Sequence, residues 1–143
     1  TLFHIGRICL TQADAQGFRH ALEQLETVEL EYGGGFPIYP VELRALNAFL
    51  EGDTEGWRRP FEDMLDQLGQ LEEEGGTRGF ELPRTRAIFS ATLQVAGLEQ
   101  EAKEQLRLAR QHFKVSRFAG HLMELEADVP RLVQGLRQIL GSA

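Results

Sequence analysis

The sequence predicts an all-α protein of about eight helices arranged as stacked antiparallel hairpins. Apolar residues recur at helical spacing along nearly the whole chain, and the strict alternation that marks strands is almost absent. The helical segments also come in pairs joined by very short turns. A length of 143 residues with 42% hydrophobic and 26% charged residues suits one globular domain. We therefore expect a single helical-repeat domain over 1–143. Its hairpins should span about 2–31, 40–71 and 83–116, with a C-terminal helix pair at 117–141.

In the first hairpin Leu2, Ile5 and Cys9 share one helical face. After a break near Ala13-Asp14, the series Phe18, Ala21, Leu22, Leu25, Val28 forms the stripe of a second helix. Glu23, Glu26, Glu29 and Glu31 fall largely off that stripe and read as its solvated side. Gly33-Gly34-Gly35 ends the helix, and Phe36-Pro37-Ile38-Tyr39-Pro40 must be extended or turning, because residues before proline avoid the α region.

Pro40 suits the first turn of a third helix carrying Leu43, Leu46, Phe49 and Leu50. Gly52 closes it, and Asp53 or Thr54 can cap a fourth helix with Trp57, Phe61, Met64, Leu65, Leu68 and Leu71. Pro60 lies inside that pattern, so the fourth helix either starts late, near Arg58, or is kinked. The segment from Glu72 to Gly79 has three consecutive carboxylates, three glycines and no apolar period, the signature of a mobile loop.

Pro83 opens a fifth helix with Ala87, Ile88, Ala91 and Val95, ended by Gly97. The sixth carries Ala102, Leu106, Ala109 and Phe113, with Lys103, Glu104, Arg107 and Arg110 available for charge pairs. Phe118, Leu122 and Leu125 mark a seventh. Val129, Leu132, Val133, Leu136, Ile139 and Leu140 mark an eighth, with its start at Asp128 and Pro130.

Charge and composition narrow the function. Fifteen basic against twenty-two acidic residues give a formal charge of -7, which repels phosphate backbones and disfavours direct nucleic-acid binding. No lysine-rich tract suggests a membrane surface, and no apolar run reaches the length of a membrane span. The opening Thr1-Leu2-Phe3-His4 lacks the pattern of a signal peptide, so none is expected, and the missing Met is read as either processing or a domain cut from a longer protein. The lone Cys9, between Ile8 and Leu10, is expected as a buried thiol in a reducing compartment, so the cytoplasm is the expected location.

No cofactor or metal is expected. His20 and Glu23, and His121 and Glu124, are spaced to share a helical face, but each pair lacks two further ligands. Carboxylate-bridged metal bundles place Glu before His, the reverse order. Glu62, Asp63 and Asp66 read as a solvated face, because no nearby histidine or lysine divides acid and base roles. Gly33-Gly34-Gly35 lacks the ending of a phosphate loop, and no nucleophile elbow occurs.

Taking Ala13, Gly52 and Gly97 as equivalent turn residues exposes a repeat. Seven positions earlier stand Gly6, Ala45 and Ser90, all small; five later stand Phe18, Trp57 and Ala102; nine later, Leu22, Phe61 and Leu106; twelve later, Leu25, Met64 and Ala109. This pattern resembles the tetratricopeptide repeat over roughly residues 2 to 113. The turns lie 39 and 45 residues apart, longer than that family's repeat of about 34. Such spacing is similar to the degenerate tetratricopeptide-like domains of bacterial signalling proteins and multidomain transcriptional activators.

The resemblance implies a right-handed array whose first helices line a concave surface. It assigns partner contacts to His4 and Arg7, then Tyr39, Glu42, Leu46 and Phe49, then Arg84, Ala87 and Ala91. The competing reading makes Leu46 and Phe49 ordinary core, or covers them with the C-terminal helices. The implied function is a non-catalytic protein- or peptide-binding regulatory module of a signalling or transcription system. The alternative is a small helical ligand sensor or enzyme with a pocket near Trp57, Tyr39 and Phe61. Self-association as a homodimer through the apolar stripe of the C-terminal helix is a third option.

Overall fold

The computed structural model describes residues 2–32, 38–75, 81–115 and 121–141, with side chains described for 4–28, 40–75, 81–112 and 124–141. These residues form seven helices and no strand: α1 (Leu2–Thr11), α2 (Ala15–Tyr32), α3 (Ile38–Leu50), α4 (Thr54–Glu73), α5 (Glu81–Val95), α6 (Glu99–Val115) and α7 (His121–Gly141). Of the expected linker, Gly33-Gly34-Gly35 and Phe36-Pro37 lie outside this description, as do the loop residues 76–79 and the side chains of Phe113, Phe118 and Leu122. Ile38-Tyr39-Pro40, expected to be extended or turning, instead form the first turn of α3, where a proline gives up no intrahelical bond, and Glu72 and Glu73, expected in the loop, lie in the last turn of α4.

Three turns reverse the chain by the same device. Ala13, Gly52 and Gly97 adopt left-handed φ values of 58°, 78° and 84°. Each donates its amide three residues back, to Leu10, Phe49 and Gln94, and each following amide reaches five back, to Cys9, Ala48 and Leu93. That paired bonding satisfies carbonyls a helix end would otherwise leave open. The next helix starts at once: the Asp14 and Asp53 carboxylates accept from the Gly17 and Gly56 amides at 2.9 and 3.0 Å. Leu98 has no side-chain acceptor at the equivalent place, and Glu99 and Glu101 supply negative charge to the first turn of α6 instead.

Both internal prolines lie within continuous helix. α4 neither starts late nor stops at Pro60 but runs from Thr54, capped by Asp53. The boundary expected at Asp128-Pro130 is absent, because α7 passes through Pro130, so the two helices expected after Arg117 are one among the described residues. The physical reason is burial. An interior proline costs about 3 kcal/mol, whereas Leu125, Val129, Leu132, Val133 and Leu136 are buried on both sides of Pro130, each worth about 1.5–3 kcal/mol.

The chain divides into two compact units, Thr1–Pro60 with Gln134–Ala143, and Phe61–Val133. In the first, α1 packs on both α2 and α3. Gly6 makes this approach close: a Cβ there would lie 3.3 Å from the Leu43 side chain and 3.6 Å from that of Ala21. Leu10, Phe18, Leu43 and Leu46 are fully buried, and Trp57 sets its ring edge-on to Phe49 at 5.2 Å. Gly135 of α7 lies directly against the Leu10 carbonyl and leaves no room for a side chain. At the surface Arg44 on α3 pairs with Glu26 on α2 at 2.8 Å.

In the second unit α5 packs along α6 and is buried on nearly every side from Glu81 to Leu93. Its polar residues are accommodated locally: Ser90 and Thr92 donate their hydroxyls to the Ala87 and Phe89 carbonyls at 2.6 and 2.7 Å. Phe61 stacks on Phe89 with centroids 5.1 Å apart. Arg86 donates to Gln105 at 2.8 Å, His112 meets Glu72 at 2.8 Å, and Arg110 meets Glu126 on α7 at 2.9 Å.

Two predictions follow from backbone geometry. Gly135→Ala is expected to lower unfolding stability by about 2 kcal/mol or more, since the new methyl meets backbone that cannot move aside, while Gly69→Ala, with open space around it, gains about 0.5–1 kcal/mol. Urea unfolding of the two variants checks the contrast. Ala13→Gly relieves the left-handed strain seen at that turn and is expected to raise stability by about 1 kcal/mol in the same assay.

Candidate partner-binding surface

Helix α1 is apolar on more than one side, so its packing chooses which residues stay in water. Gly6 and Leu10 face the interior, whereas His4, Ile5, Ile8 and Gln12 are exposed. At about 100° per residue those four residues share one arc of the helix, opposite Gly6 and Leu10. Ile5 and Ile8 remain 50% and 52% exposed, the two most exposed large apolar side chains among the described residues. Arg7 is half-buried at the margin of this arc. The face expected from Leu2, Ile5 and Cys9 is therefore not the packed one: Ile5 points outward and Cys9 is half-buried.

The remaining sequence-derived positions are placed differently. Glu42, Leu46 and Phe49 on α3 are interior, with 0%, 0% and 6% exposure, and Ala87 and Ala91 on α5 are interior as well. As a surface these α3 positions are corrected, because Leu46 and Phe49 belong to the core of their unit and Phe49 carries the Trp57 ring. Arg84 is half-buried, and the side chain of Tyr39 lies outside the described residues. The structure thus brings His4 and Arg7 together on α1. Ile5 and Ile8, which sequence reasoning passed over as a surface, lie with them. The legible signal was a small residue, Gly6, on the opposite side of a helix that is otherwise apolar all round.

Described residues line a hollow on α2 and another between α5 and α6. One, of about 540 Å³, runs along the outer face of α2 beside His20, Glu23, Gln24, Thr27 and Val28. The other, of about 270 Å³, lies between α5 and α6 beside Ser90, Gln94, Ala102 and Lys103. In repeat register Ala102 stands where Phe18 and Trp57 stand in the earlier hairpins. Trp57 and Phe61, expected to flank a ligand pocket, line neither hollow and are buried against Phe49 and Phe89.

Burial and charge pairing shift the titration of Cys9, Arg86, Glu104 and Arg107. Burial pushes the Cys9 thiol above its ordinary value, and the Asp14 carboxylate adds to the rise. Burial lowers the Arg86 guanidinium against the opposing pull of Glu72 and Glu104. On the surface Arg107 grips Glu104 through two bonds of 2.9 and 2.7 Å, which holds that carboxyl below its usual range. Among the described residues no group of three or more His, Cys, Asp or Glu is arranged to hold a metal ion, and no helix is long and apolar enough to cross a membrane. No family model, curated protein or solved structure matches the chain.

The raised Cys9 value has a direct consequence. The thiolate is the reactive form, so at pH 8 Cys9 is expected to react with a disulfide reagent more slowly in the folded chain than in urea. Asp14→Asn keeps the capping oxygen but removes the charge. It is expected to speed the folded-state reaction, as followed by thiolate release from the reagent.

Proposed function

We propose that the chain is a protein-interaction module and that the outer arc of α1 is its docking face. The observation that carries this is the pair Ile5 and Ile8, half-exposed on a helix whose other side is locked to α2 and α3. Adjacent apolar side chains held in water are a mark of an interface, and His4 and Arg7 border them as a polar margin. The partner this surface suits is a protein or peptide segment with an apolar anchor. No residue is assigned catalytic work in this reading.

The finer reading is a degenerate tetratricopeptide-like set of three hairpins serving a signalling or transcription system of the bacterial cytoplasm. Its support is the shared turn geometry at Ala13, Gly52 and Gly97, together with the burial of Gly6, Ala45 and Ser90 seven positions before each turn. The apolar stripe of α7 is buried within the chain from Leu125 to Leu136, so this proposal places association on α1 rather than on a C-terminal helix dimer.

Affinity capture with the intact chain and with an Ile5→Glu/Ile8→Glu variant tests the reading, with cross-links mapped by mass spectrometry. Substitutions at such exposed positions change stability by only about 0.5 kcal/mol, so lost binding is not lost folding. The expected result is a partner cross-linked to α1 whose recovery falls at least about tenfold with the variant, equivalent to about 1.4 kcal/mol. Equal recovery by both proteins removes α1 as the docking face.

A further inference from the structure

The first two hairpins each bury an aromatic ring five positions after the turn. Phe18 is fully enclosed, and Trp57 lies edge-on against Phe49 of the preceding helix. The third hairpin has Ala102 at that position, and Ser90 is the small residue seven positions before its turn. Both are buried, and both line the hollow of about 270 Å³ between α5 and α6, with Leu106 beside them. Its inner wall is thus made of side chains too short to fill it. α5 and α6 belong to one compact unit and pack along each other, so the hollow is a feature of a single body.

The rim of the hollow is polar and carries both signs of charge, from Glu99 and Lys103, together with the Gln94 amide. Glu99 and Lys103 stand four residues apart on α6, which puts them on one face with about 6 Å between Cβ atoms. Glu before Lys at this spacing can pair, yet among the described residues neither enters an ion pair, and the Gln94 side chain makes no hydrogen bond. Ser90 donates its hydroxyl to the Ala87 carbonyl at 2.6 Å and keeps its oxygen as an acceptor. An anion held by Lys103 alone would sit beside Glu99, and a cation held by Glu99 alone beside Lys103, so a ligand of one sign gains at one group and loses at the other. A ligand with an ammonium and a carboxylate on one carbon satisfies both. The inner space sets the rest of the ligand. A cavity of about 150 Å³ holds a benzene ring, and about 270 Å³ has room for that ring and the carbon bearing the two charges.

We propose that the hollow between α5 and α6 binds a free amino acid with an aromatic side chain, its ring seated against Ala102 and Leu106, its carboxylate on Lys103 and its ammonium on Glu99. The ligand supplies the ring that the chain itself provides in the first two hairpins. This site and the docking face on α1 stand or fall separately.

Titration of the isotope-labelled full chain with L-phenylalanine, followed by backbone amide NMR shifts, tests it. The expected result is saturable shifts at Ser90, Gln94, Ala102 and Lys103 with a Kd below about 1 mM. L-alanine, which lacks the ring, should bind at least about tenfold more weakly. N-acetyl-L-phenylalanine amide, which keeps the ring and neither charge, should bind at least about fivefold more weakly. Lys103→Gln, at an exposed position, should weaken L-phenylalanine by about fivefold and leave the unfolding midpoint unchanged. Ala102→Phe, which fills the hollow from within the chain, should abolish the shifts. Absence of saturable shifts at these residues up to about 10 mM L-phenylalanine overturns the proposal, as does undiminished binding by Lys103→Gln or by Ala102→Phe. Equal binding of the capped amide would mark a peptide side chain as the occupant and overturns it as well.

Discussion

Ala13, Gly52 and Gly97 each hold a left-handed residue between two helices, and the interior of the protein follows from that constraint. A reversal completed in so few residues fixes the rotation of the second helix about its axis relative to the first. The same hydrogen-bond pair at each turn therefore sets the same register, which is why Gly6, Ala45 and Ser90 are buried before their turns and Phe18, Trp57 and Ala102 after them. Glycine takes this backbone at little cost, whereas Ala13 does so against its Cβ. The bonding of Asp14, whose amide reaches Cys9 at 2.7 Å while its carboxylate caps α2 at 2.9 Å, offsets that strain locally.

With register fixed by the turns, closeness of packing is fixed by glycine. Gly6 admits Leu43 and Ala21 to the backbone of α1, and Gly135 admits the Leu10 carbonyl to that of α7. Neither glycine adds an apolar side chain to a stripe. Each replaces side-chain bulk with backbone proximity, and the surrounding leucines supply the burial: Leu10, Leu43, Leu46 and Leu136 are fully enclosed. The surface ion pairs add little by comparison. Arg44–Glu26 and Arg110–Glu126 are about half exposed at both ends, and such pairs contribute about 0–1 kcal/mol.

This division explains what could be read in the sequence. Helix positions were legible wherever an apolar stripe met a turn residue, so α2 to α6 lie close to their expected places, and the stripe of α4 from Trp57 to Leu68 is buried as its spacing implies. The stripe of α2 was followed one turn too far. Val28 has drifted to its edge after ten residues of 3.6-fold winding and is 42% exposed. Pro130 misled because local rules weigh a lost hydrogen bond without the burial on either side of it. The surface was less legible than the fold. On α1 nearly every side is apolar, so periodicity could not choose the outward face, and the choice was made by Gly6, which carries no hydropathic signal. Positions Glu42, Leu46 and Phe49 were assigned by resemblance to a repeat, and burial within this chain places them in the interior.

The arc of Ile5 and Ile8 gains its meaning from the rigidity beneath it. An apolar side chain on a mobile segment loses conformational entropy when a partner immobilises it, and that loss offsets much of the gain from burial. α1 is restrained on its inward side by Leu43 and Ala21 against Gly6, and at its end by Gly135 against Leu10. Its backbone is therefore ordered before any partner arrives, and only the rotamers of Ile5 and Ile8 remain to be fixed, which are few for a β-branched residue. The same restraints make α1 move as one body with the end of α7. In the proposed role, the face is presented ready-formed, and its two isoleucines supply the recognition.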